Sequence, residues 1–246
     1  MEPVSELRRR EVKTYFDVIA NGGSDRLLTA RSFHNLGEWE HSDYAWLSDV
    51  LVAANARSSF SFLGREAHRY AETIEMLDQA GHEIVLHGYR HLACDDIPYD
   101  IVYANIDRGL SAIEEAAGVR PRGFIAPRQT VNEATLAVLD ELDFSWIVGT
   151  TAAEIPPSLA FMEPQYPYDL IILNNGATPA ETFDRVDEQT ADGVAHLIHP
   201  NMIEYYDGLP ELEEWISDTE PTTISNVLQG TGVGLICDAM RPLRIE

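Results

Sequence analysis

Residues 83–91 read Glu-Ile-Val-Leu-His-Gly-Tyr-Arg-His, a short apolar run followed directly by two histidines four positions apart. The apolar run is typical of a buried β-strand. If the chain turns after it, His87 and His91 can converge on one divalent metal ion, each through a neutral ring nitrogen. The helical zinc motif His-Glu-x-x-His is excluded, because Gly88 follows His87 and the context is strand and loop. Two loop histidines that hydrogen-bond to the backbone are the alternative.

Strand and helix patterns alternate on both sides of this run. The predicted strands cover residues 26–33, 58–63, 83–86, 123–126, 145–148, 169–173, 194–199 and 232–237. The predicted helices cover residues 43–54 with Ser42 as N-cap, 66–80, 99–117, and 132–142 with Asn132 as N-cap. Strands separated by helix-length segments indicate βα units with right-handed crossovers, and therefore a parallel sheet.

The length of 246 residues fits one α/β domain over residues 1–246. Seven or eight βα units in this length favour a single, deformed barrel of parallel strands. A doubly wound open sheet is the alternative. No Gly-x-Gly-x-x-Gly follows the first predicted strand, so a dinucleotide fold has no direct support.

The charge balance is unusual, with 41 acidic and 17 basic side chains and a net charge of −24. All basic residues except Lys13 are arginines. Self-repulsion at such a charge is relieved by concentrated salt, which predicts a halophilic protein. No basic stripe is present to bind a phosphate backbone, which argues against a nucleic-acid partner.

No signal-peptide-like or membrane-spanning apolar run is visible, so we expect no membrane association. The two cysteines, Cys94 and Cys237, form no disulfide framework and lack metal-ligand spacing. These features predict a cytoplasmic protein. The sequence leaves a homo-oligomer open.

Residues just beyond the strands are the first candidates for a site, because the carboxyl ends of parallel strands form the active face of such folds. This rule selects His34, Glu38, His87, His91, Pro127, Arg128 and His199. His196 lies within a strand, which favours a core or wall role.

Four landmarks resemble motifs of the polysaccharide deacetylases, the NodB-like carbohydrate esterases. They are residues 58–64 (Ser-Ser-Phe-Ser-Phe-Leu-Gly), 81–91 (Gly-His-Glu-Ile-Val-Leu-His-Gly-Tyr-Arg-His), 123–136 and 197–200 (Leu-Ile-His-Pro). The resemblance spans roughly residues 27–200 and implies a deformed (β/α)7 barrel.

The resemblance also implies roles for individual residues. His87 and His91 would bind zinc or another divalent ion, and His199 would protonate the leaving amine. In the family an aspartate of the first strand completes the metal site, and a neighbouring aspartate is the base. Both are missing from residues 28–34. Counting back from Ser59 makes Glu38 the candidate third ligand, with His34 close by.

The arginine of the family's third motif is Ile125 here, and Arg128 is the candidate to orient a carboxylate or bind substrate. Pro127, Tyr89 and Trp146 are candidate substrate-binding residues. The expected function is hydrolysis of non-peptide carbon–nitrogen bonds, most simply deacetylation of an N-acetylated small or oligomeric sugar. The missing aspartates leave two alternatives, a catalytically inactive carbohydrate-binding barrel and a metal-independent amidohydrolase.

Overall fold

The computed structural model describes residues 39–94, 97–165, 169, 173, 176–230 and 232–238. None of the helices in these ranges is long and apolar enough to span a membrane. The predicted first strand (26–33), His34 and Glu38 lie outside the described residues.

Seven strands alternate with helices along the described chain. The strands are β1 (Ser59–Phe62), β2 (Glu83–Leu86), β3 (Gly123–Thr130), β4 (Trp146–Thr150), β5 (Ala160–Met162), β6 (Ala195–Ile198) and β7 (Gly234–Asp238). The α-helices are α1 (His41–Ala53), α2 (Ala71–Gln79), α3 (Tyr99–Ala117), α4 (Glu133–Glu141), α5 (Pro179–Glu188), α6 (Pro200–Tyr205), α7 (Leu209–Thr219) and α8 (Ile224–Leu228).

All neighbouring strands are parallel, in the order β5-β4-β3-β2-β1-β7-β6. Strand β1 is paired on both edges, with β2 through Ser59↔Glu83 and with β7 through Ser59↔Ile236. The last strand in the chain is therefore inserted between β1 and β6. The backbone N–H of Gln165, beyond β5, donates to the carbonyl of Ala195 in β6 (3.1 Å), which brings the two ends of the sheet together.

The sheet curls around an apolar interior. Side chains from strands that are far apart in the sheet meet there, including Val85 of β2, Val148 of β4 and Leu197 of β6. A second and larger cluster packs the outer face of the strands against the helices. Because β4 and β6 meet inside, the structure is the deformed (β/α)7 barrel expected from the sequence and not a flat doubly wound sheet.

Polar side chains fill the end of the interior where the strands begin. The carboxylate of Glu83 accepts hydrogen bonds from the Ser59 hydroxyl (2.7 Å), the Trp146 indole (3.2 Å) and Ser225. The active face of the barrel is therefore confined to the other end, where the strands finish.

Several predicted boundaries are corrected by the structure. Helix α1 begins at His41 with Glu40 as N-cap, not Ser42, and Glu40 forms a reciprocal capping box with Asp43. The predicted helix 66–80 is a short 3-10 turn (Gly64–Glu66) followed by α2. Strand β3 continues past Ala126 through an irregularity, because Arg128 and Gln129 adopt left-handed backbone angles (φ 58° and 63°) that let the chain resume its pairing.

The predicted strand 169–173 is also wrong. Asp169 and Leu173, the described residues of this segment, have helical backbone. A short apolar run does not distinguish a buried strand from a buried helical turn. In contrast, the prediction that Asn132 caps a helix is confirmed, because its side chain accepts a hydrogen bond from the backbone N–H of Thr135 (3.0 Å).

Candidate active site

Three polar residues end strands on the active face. His87 follows β2, His199 follows β6, and Asp238 is the last residue of β7. Their neighbours two positions earlier, Val85, Leu197 and Ile236, all belong to the interior cluster. Because side chains alternate along a strand, His87, His199 and Asp238 continue the inward-facing rows and meet at the mouth of the barrel.

His87 is buried, and its two ring nitrogens have different environments. Nδ1 lies 2.7 Å from the carbonyl oxygen of Ile125. A carbonyl only accepts, so Nδ1 carries the proton and Nε2 keeps its lone pair. Among the described residues this buried Nε2, here called the open nitrogen, has no hydrogen-bond partner. It lies 3.7 Å from Oδ2 of Asp238. A ring held by a carbonyl, with the other nitrogen open, is how metal-binding histidines are oriented.

His91 lies beside His87 after a tight loop. The ring centroids are 4.8 Å apart. Gly88 makes the turn with φ of 83°, and a Cβ there would lie 2.6 Å from Nδ2 of Asn105. Asn105 in turn accepts from the backbone N–H of Arg90 (2.9 Å). Helix α3 therefore fixes the loop that brings the two imidazoles together, as the sequence predicted.

The environment of His91 disfavours its protonation, although part of the residue is exposed. Loss of solvent around the ring, followed by the charge on His87, lowers the pKa of His91 to about 4, and Arg128 acts in the same direction against an opposing effect of Asp238. A neutral ring at pH 7 is the form that donates a lone pair to a cation.

His199 is held by a buried carboxylate that the sequence analysis missed. Its Nδ1 lies 2.9 Å from Oδ1 of Asp169, and its backbone N–H donates to Oδ2 of the same residue (2.6 Å). Burial of the imidazole lowers its pKa, but the charge and hydrogen bond of Asp169, together with Asp238, outweigh burial and raise the pKa of His199 above its usual value. The ring is thus suited to hold a proton.

Asp169 and Asp238 had weak signals in the sequence. Asp238 directly ends the apolar run 232–237, and the rule that selected the other candidates would have selected it too. Asp169 begins an apolar run that was interpreted as a strand, which concealed its role as a buried partner of His199.

Ser61 brings an inward-facing hydroxyl close to Asp238. The two residues are register partners on β1 and β7. The Ser61 hydroxyl is buried and finds no hydrogen-bond partner in the described ranges, whereas Ser59, two residues earlier, binds Glu83. The mouth of the barrel therefore contains more than one polar atom that its protein neighbours leave unbonded.

The remaining predicted site residues are divided between the mouth and the rest of the fold. Arg128 is exposed on the irregular part of β3, near enough to His91 to affect its pKa. Pro127 is buried in the same strand. Tyr89, in the loop between the two histidines, packs its ring under the guanidinium of Arg108 (3.9 Å to the centroid).

Trp146 is the prediction that the structure corrects. It is the first residue of β4 and is 2% exposed. Its indole N–H points to Glu83 and Ser225 at the closed end of the barrel. A substrate at the open mouth does not reach this end, so Trp146 fills the interior.

The mouth of the barrel offers nitrogen and oxygen donors to a metal ion. Over the ranges that the structure covers, no cluster of three or more His, Cys, Asp or Glu side chains is already arranged to hold one. The open nitrogen of His87 nevertheless faces a carboxylate oxygen, and His91 adjoins it. Nitrogen and oxygen donors of this kind suit zinc-like ions. The donor types of these residues therefore fit a divalent cation.

Part of the chain is similar in sequence to known proteins. Residues 37–147 match the family model described as "Polysaccharide deacetylase". A curated protein from Gibberella zeae, described as "Peptidoglycan deacetylase-like protein FGM2", is 27% identical over 107 residues, which are 44% of this chain and 31% of that protein. The chain thus spans about a third of the length of this curated relative.

Solved structures extend the likeness to most of the chain. A family 4 carbohydrate esterase from Streptomyces lividans has a TM-score of 0.58 at 17% identity, covering 81% of this chain and 93% of that one. A family 4 pseudoenzyme from Bacillus anthracis also has a TM-score of 0.58 at 17% identity, covering 80% and 60%. The peptidoglycan deacetylase PdaC from Bacillus subtilis gives 0.57 at 17% identity, covering 81% and 82%. These structures share the barrel fold with this chain, while the family model matches residues 37–147 only.

Proposed function

We propose that this chain is a hydrolase of the polysaccharide deacetylase family that removes the acetyl group from an N-acetylated sugar. One observation carries the proposal. The open nitrogen of His87 and the buried His199–Asp169 pair occupy the same mouth of the barrel. A lone pair able to bind a cation thus faces the same space as an imidazole able to supply a proton, and metal-assisted cleavage of an amide uses both.

Breaking an amide bond requires activation of the carbonyl and protonation of the departing nitrogen. His87 and His91 would hold a divalent cation, which supplies Lewis-acid polarisation of the carbonyl and a more acidic water when bound. His199 would donate a proton from Nε2 to the amine, because Nδ1 is occupied by Asp169. Asp169 keeps the ring oriented and favours its charged form.

The substrate class follows from the family resemblance, with support from the deacetylases among the similar proteins. Tyr89, in the loop between the two histidines, and Arg128, on the irregular part of β3, would contact the sugar around the reacting acetamide. We propose in addition that the sugar is a small molecule or an oligomer and that the protein is cytoplasmic.

The test is release of acetate from N-acetylglucosamine and its oligomers by the purified protein in high salt. We expect turnover in the wild type and a loss of roughly 10²- to 10⁴-fold in His199→Gln, the usual contribution of a general acid. His68→Gln, which changes an exposed histidine, is the matched control. Equal rates in the wild type and His199→Gln would contradict the proposed role of His199.

A catalytically inactive, carbohydrate-binding barrel is the second candidate. It is favoured by the absence of the aspartate pair from residues 28–34, and a pseudoenzyme is among the proteins with the same fold. Binding of sugar oligomers without acetate release, in metal-loaded protein, would support it. Activity that survives exhaustive chelation would instead support a metal-independent amidohydrolase.

A further inference from the structure

The carboxylate nearest the open nitrogen of His87 comes from the other end of the chain. Strand β7 pairs with β1 over Ser59–Ser61, and β1 pairs with β2. Asp238, at the end of β7, is therefore one strand removed from His87, and the curl of the sheet brings the two side chains to 3.7 Å. Only 16% of the Asp238 side chain is exposed.

Two electron-rich atoms face each other across this gap. Nδ1 of His87 carries the ring proton, because it is bound to the carbonyl of Ile125. The open nitrogen has no proton to give to Asp238, so the contact is not a hydrogen bond in the neutral ring. Two donor atoms at about 2.0–2.2 Å from a tetrahedral zinc ion lie about 3.4 Å apart. The separation of 3.7 Å is close to that value.

Two other carboxylates inside the barrel, those of Asp169 and Glu83, are engaged elsewhere. Both oxygens of Asp169 bind His199. The carboxylate of Glu83 is held by Ser59, Trp146 and Ser225 at the closed end of the barrel. Asp238 combines proximity to His87 with partial access to solvent, and the centroid of the His91 ring lies 4.8 Å from that of His87.

From these positions we propose that Asp238 of the last strand, and not Glu38, is the carboxylate ligand that completes a divalent cation site with His87 and His91. The inference rests on the proposed cation site but does not depend on which substrate is hydrolysed. It assigns to the C-terminal part of the chain the acidic ligand that the family resemblance places in the first strand.

The first experiment measures binding of Zn²⁺ to the full chain, freed of metal, by calorimetric titration. Asp238→Asn, Glu38→Gln and His87→Ala are compared with Asp192→Asn, a change at an exposed carboxylate. We expect Asp238→Asn and His87→Ala to weaken Zn²⁺ binding at least about 10- to 100-fold, the effect of losing even an outer-shell partner. Glu38→Gln and Asp192→Asn should stay within about threefold of the wild type.

A second variant keeps the test informative if Asp238→Asn folds poorly. Asp238→Cys places a thiolate at the same position, and Co²⁺ bound by a thiolate acquires a sulfur-to-metal charge-transfer band in the near ultraviolet. We expect the band in Asp238→Cys loaded with Co²⁺, above the baseline of the wild type with its buried Cys94 and Cys237. Asp192→Cys should remain at the baseline.

The outcomes separate this inference from the proposed function. Binding that requires His87 but is unchanged in Asp238→Asn, with no new band in Asp238→Cys, overturns the assignment of Asp238 alone. A wild type that binds no Zn²⁺ overturns the cation site and this inference together. Binding that depends on Asp238 in a protein that releases no acetate supports the inference and contradicts the deacetylase proposal.

Discussion

Ser59 and Ser61 lie two residues apart on β1 but differ in their hydrogen bonds. The Ser59 hydroxyl donates to Glu83 (2.7 Å) and accepts from the backbone N–H of Ile224 (3.0 Å). The Ser61 hydroxyl is buried, and the described part of the chain offers it no partner. The Ser59 hydroxyl thus stabilises the closed end of the barrel, whereas the Ser61 hydroxyl near the mouth has no described hydrogen bond.

This difference predicts unequal effects of the same substitution. Ser59→Ala should lower the free energy of unfolding by about 1–3 kcal/mol, because Glu83 and a backbone N–H lose a buried partner. Ser61→Ala should change it by less than about 0.5 kcal/mol, since no described hydrogen bond is removed. Urea unfolding of both variants measures this. Equal losses would show that the Ser61 hydroxyl is bonded in solution.

Asp169 should control the charge of His199. Replacing Asp169 by Asn removes the anion that raises the His199 pKa, so the pKa falls. A general acid works while protonated, and therefore the alkaline limb of acetate release should move to lower pH in Asp169→Asn. The pH–rate profile of metal-loaded protein measures the shift. An unchanged alkaline limb together with a uniformly lower rate would indicate that Asp169 is only structural.

At the scale of elements, α3 is pressed against the loop that carries the histidines. A Cβ on Gly109 would lie 2.8 Å from the backbone nitrogen of Tyr89 and 2.8 Å from Cδ1 of Leu86. Gly64 also packs closely against this helix, with a Cβ position 2.5 Å from the Cα of Gly109. The glycine in mid-helix therefore permits a close approach that places the His87–His91 loop.

Gly109→Ala should destabilise the protein, although alanine normally favours a helix more than glycine does. Alanine normally stabilises a helix interior by about 1 kcal/mol over glycine, but overpacking costs about 1–3 kcal/mol. We expect a net loss of stability and weaker Zn²⁺ binding, because the loop must move. Ser111→Ala, at an exposed position of α3, should be neutral or slightly stabilising. Thermal unfolding and calorimetric titration test both, and a more stable Gly109→Ala would contradict the close packing.

His196 joins β6 to the helices outside the barrel. Its Nε2 lies 3.0 Å from the Thr190 hydroxyl, and its ring packs edge-on against Trp215 at 5.7 Å. Burial lowers the pKa of His196 to about 4. This position agrees with the wall role expected from the sequence.

The lowered pKa makes His196 a source of acid sensitivity. Below about pH 6.5 the unfolded chain binds a proton at this residue that the folded chain excludes down to about pH 4. Stability should therefore fall with decreasing pH, by up to about 1.4 kcal/mol per pH unit from this group. His196→Gln should reduce the slope of unfolding free energy between pH 6.5 and 4, relative to His68→Gln at an exposed site. An unchanged slope would contradict the lowered pKa of His196.

Local sequence patterns predicted the strands and helices that have a clear hydrophobic periodicity. The strand Glu83–Leu86 and the helix Tyr99–Ala117 have the bounds predicted from the sequence. The short strand Ala160–Met162 and the helical backbone at Asp169 were not predicted, because three to five residues carry too little periodicity.

The site was predictable only in part. His87, His91 and His199 follow apolar strands and match family motifs, so sequence alone brought them together. Asp238 ends an apolar run and could have been selected by the same rule, whereas Asp169 was missed because its contact with His199 is created by tertiary structure. Which strand lies beside β1 depends on the order of the sheet, and no local pattern encodes the pairing of β1 with β7.

At the scale of the whole molecule, the net charge of −24 dominates. Repulsion among surface carboxylates opposes the compact state. Salt weakens this repulsion by shortening the Debye length to about 3 Å at 1 M. We expect the midpoint of thermal unfolding to rise with KCl by more than about 2–4 °C, the equivalent of about 1 kcal/mol for a chain of this size. A matched sucrose series controls for exclusion effects, and a flat KCl response would contradict a halophilic protein.

The insertion of β7 between β1 and β6 has a consequence for how the chain is made. Ser58 and Leu235, which hydrogen-bond next to this pairing, are 177 residues apart in the chain. A growing polypeptide exposes one edge of β1 and one edge of β6 until β7 leaves the ribosome, and long-range pairing of this kind is slow. Two unpaired strand edges in a nascent chain can pair with the wrong strand. Chaperone assistance during synthesis should therefore matter more for this protein than for barrels whose strands pair in the order in which they are synthesised.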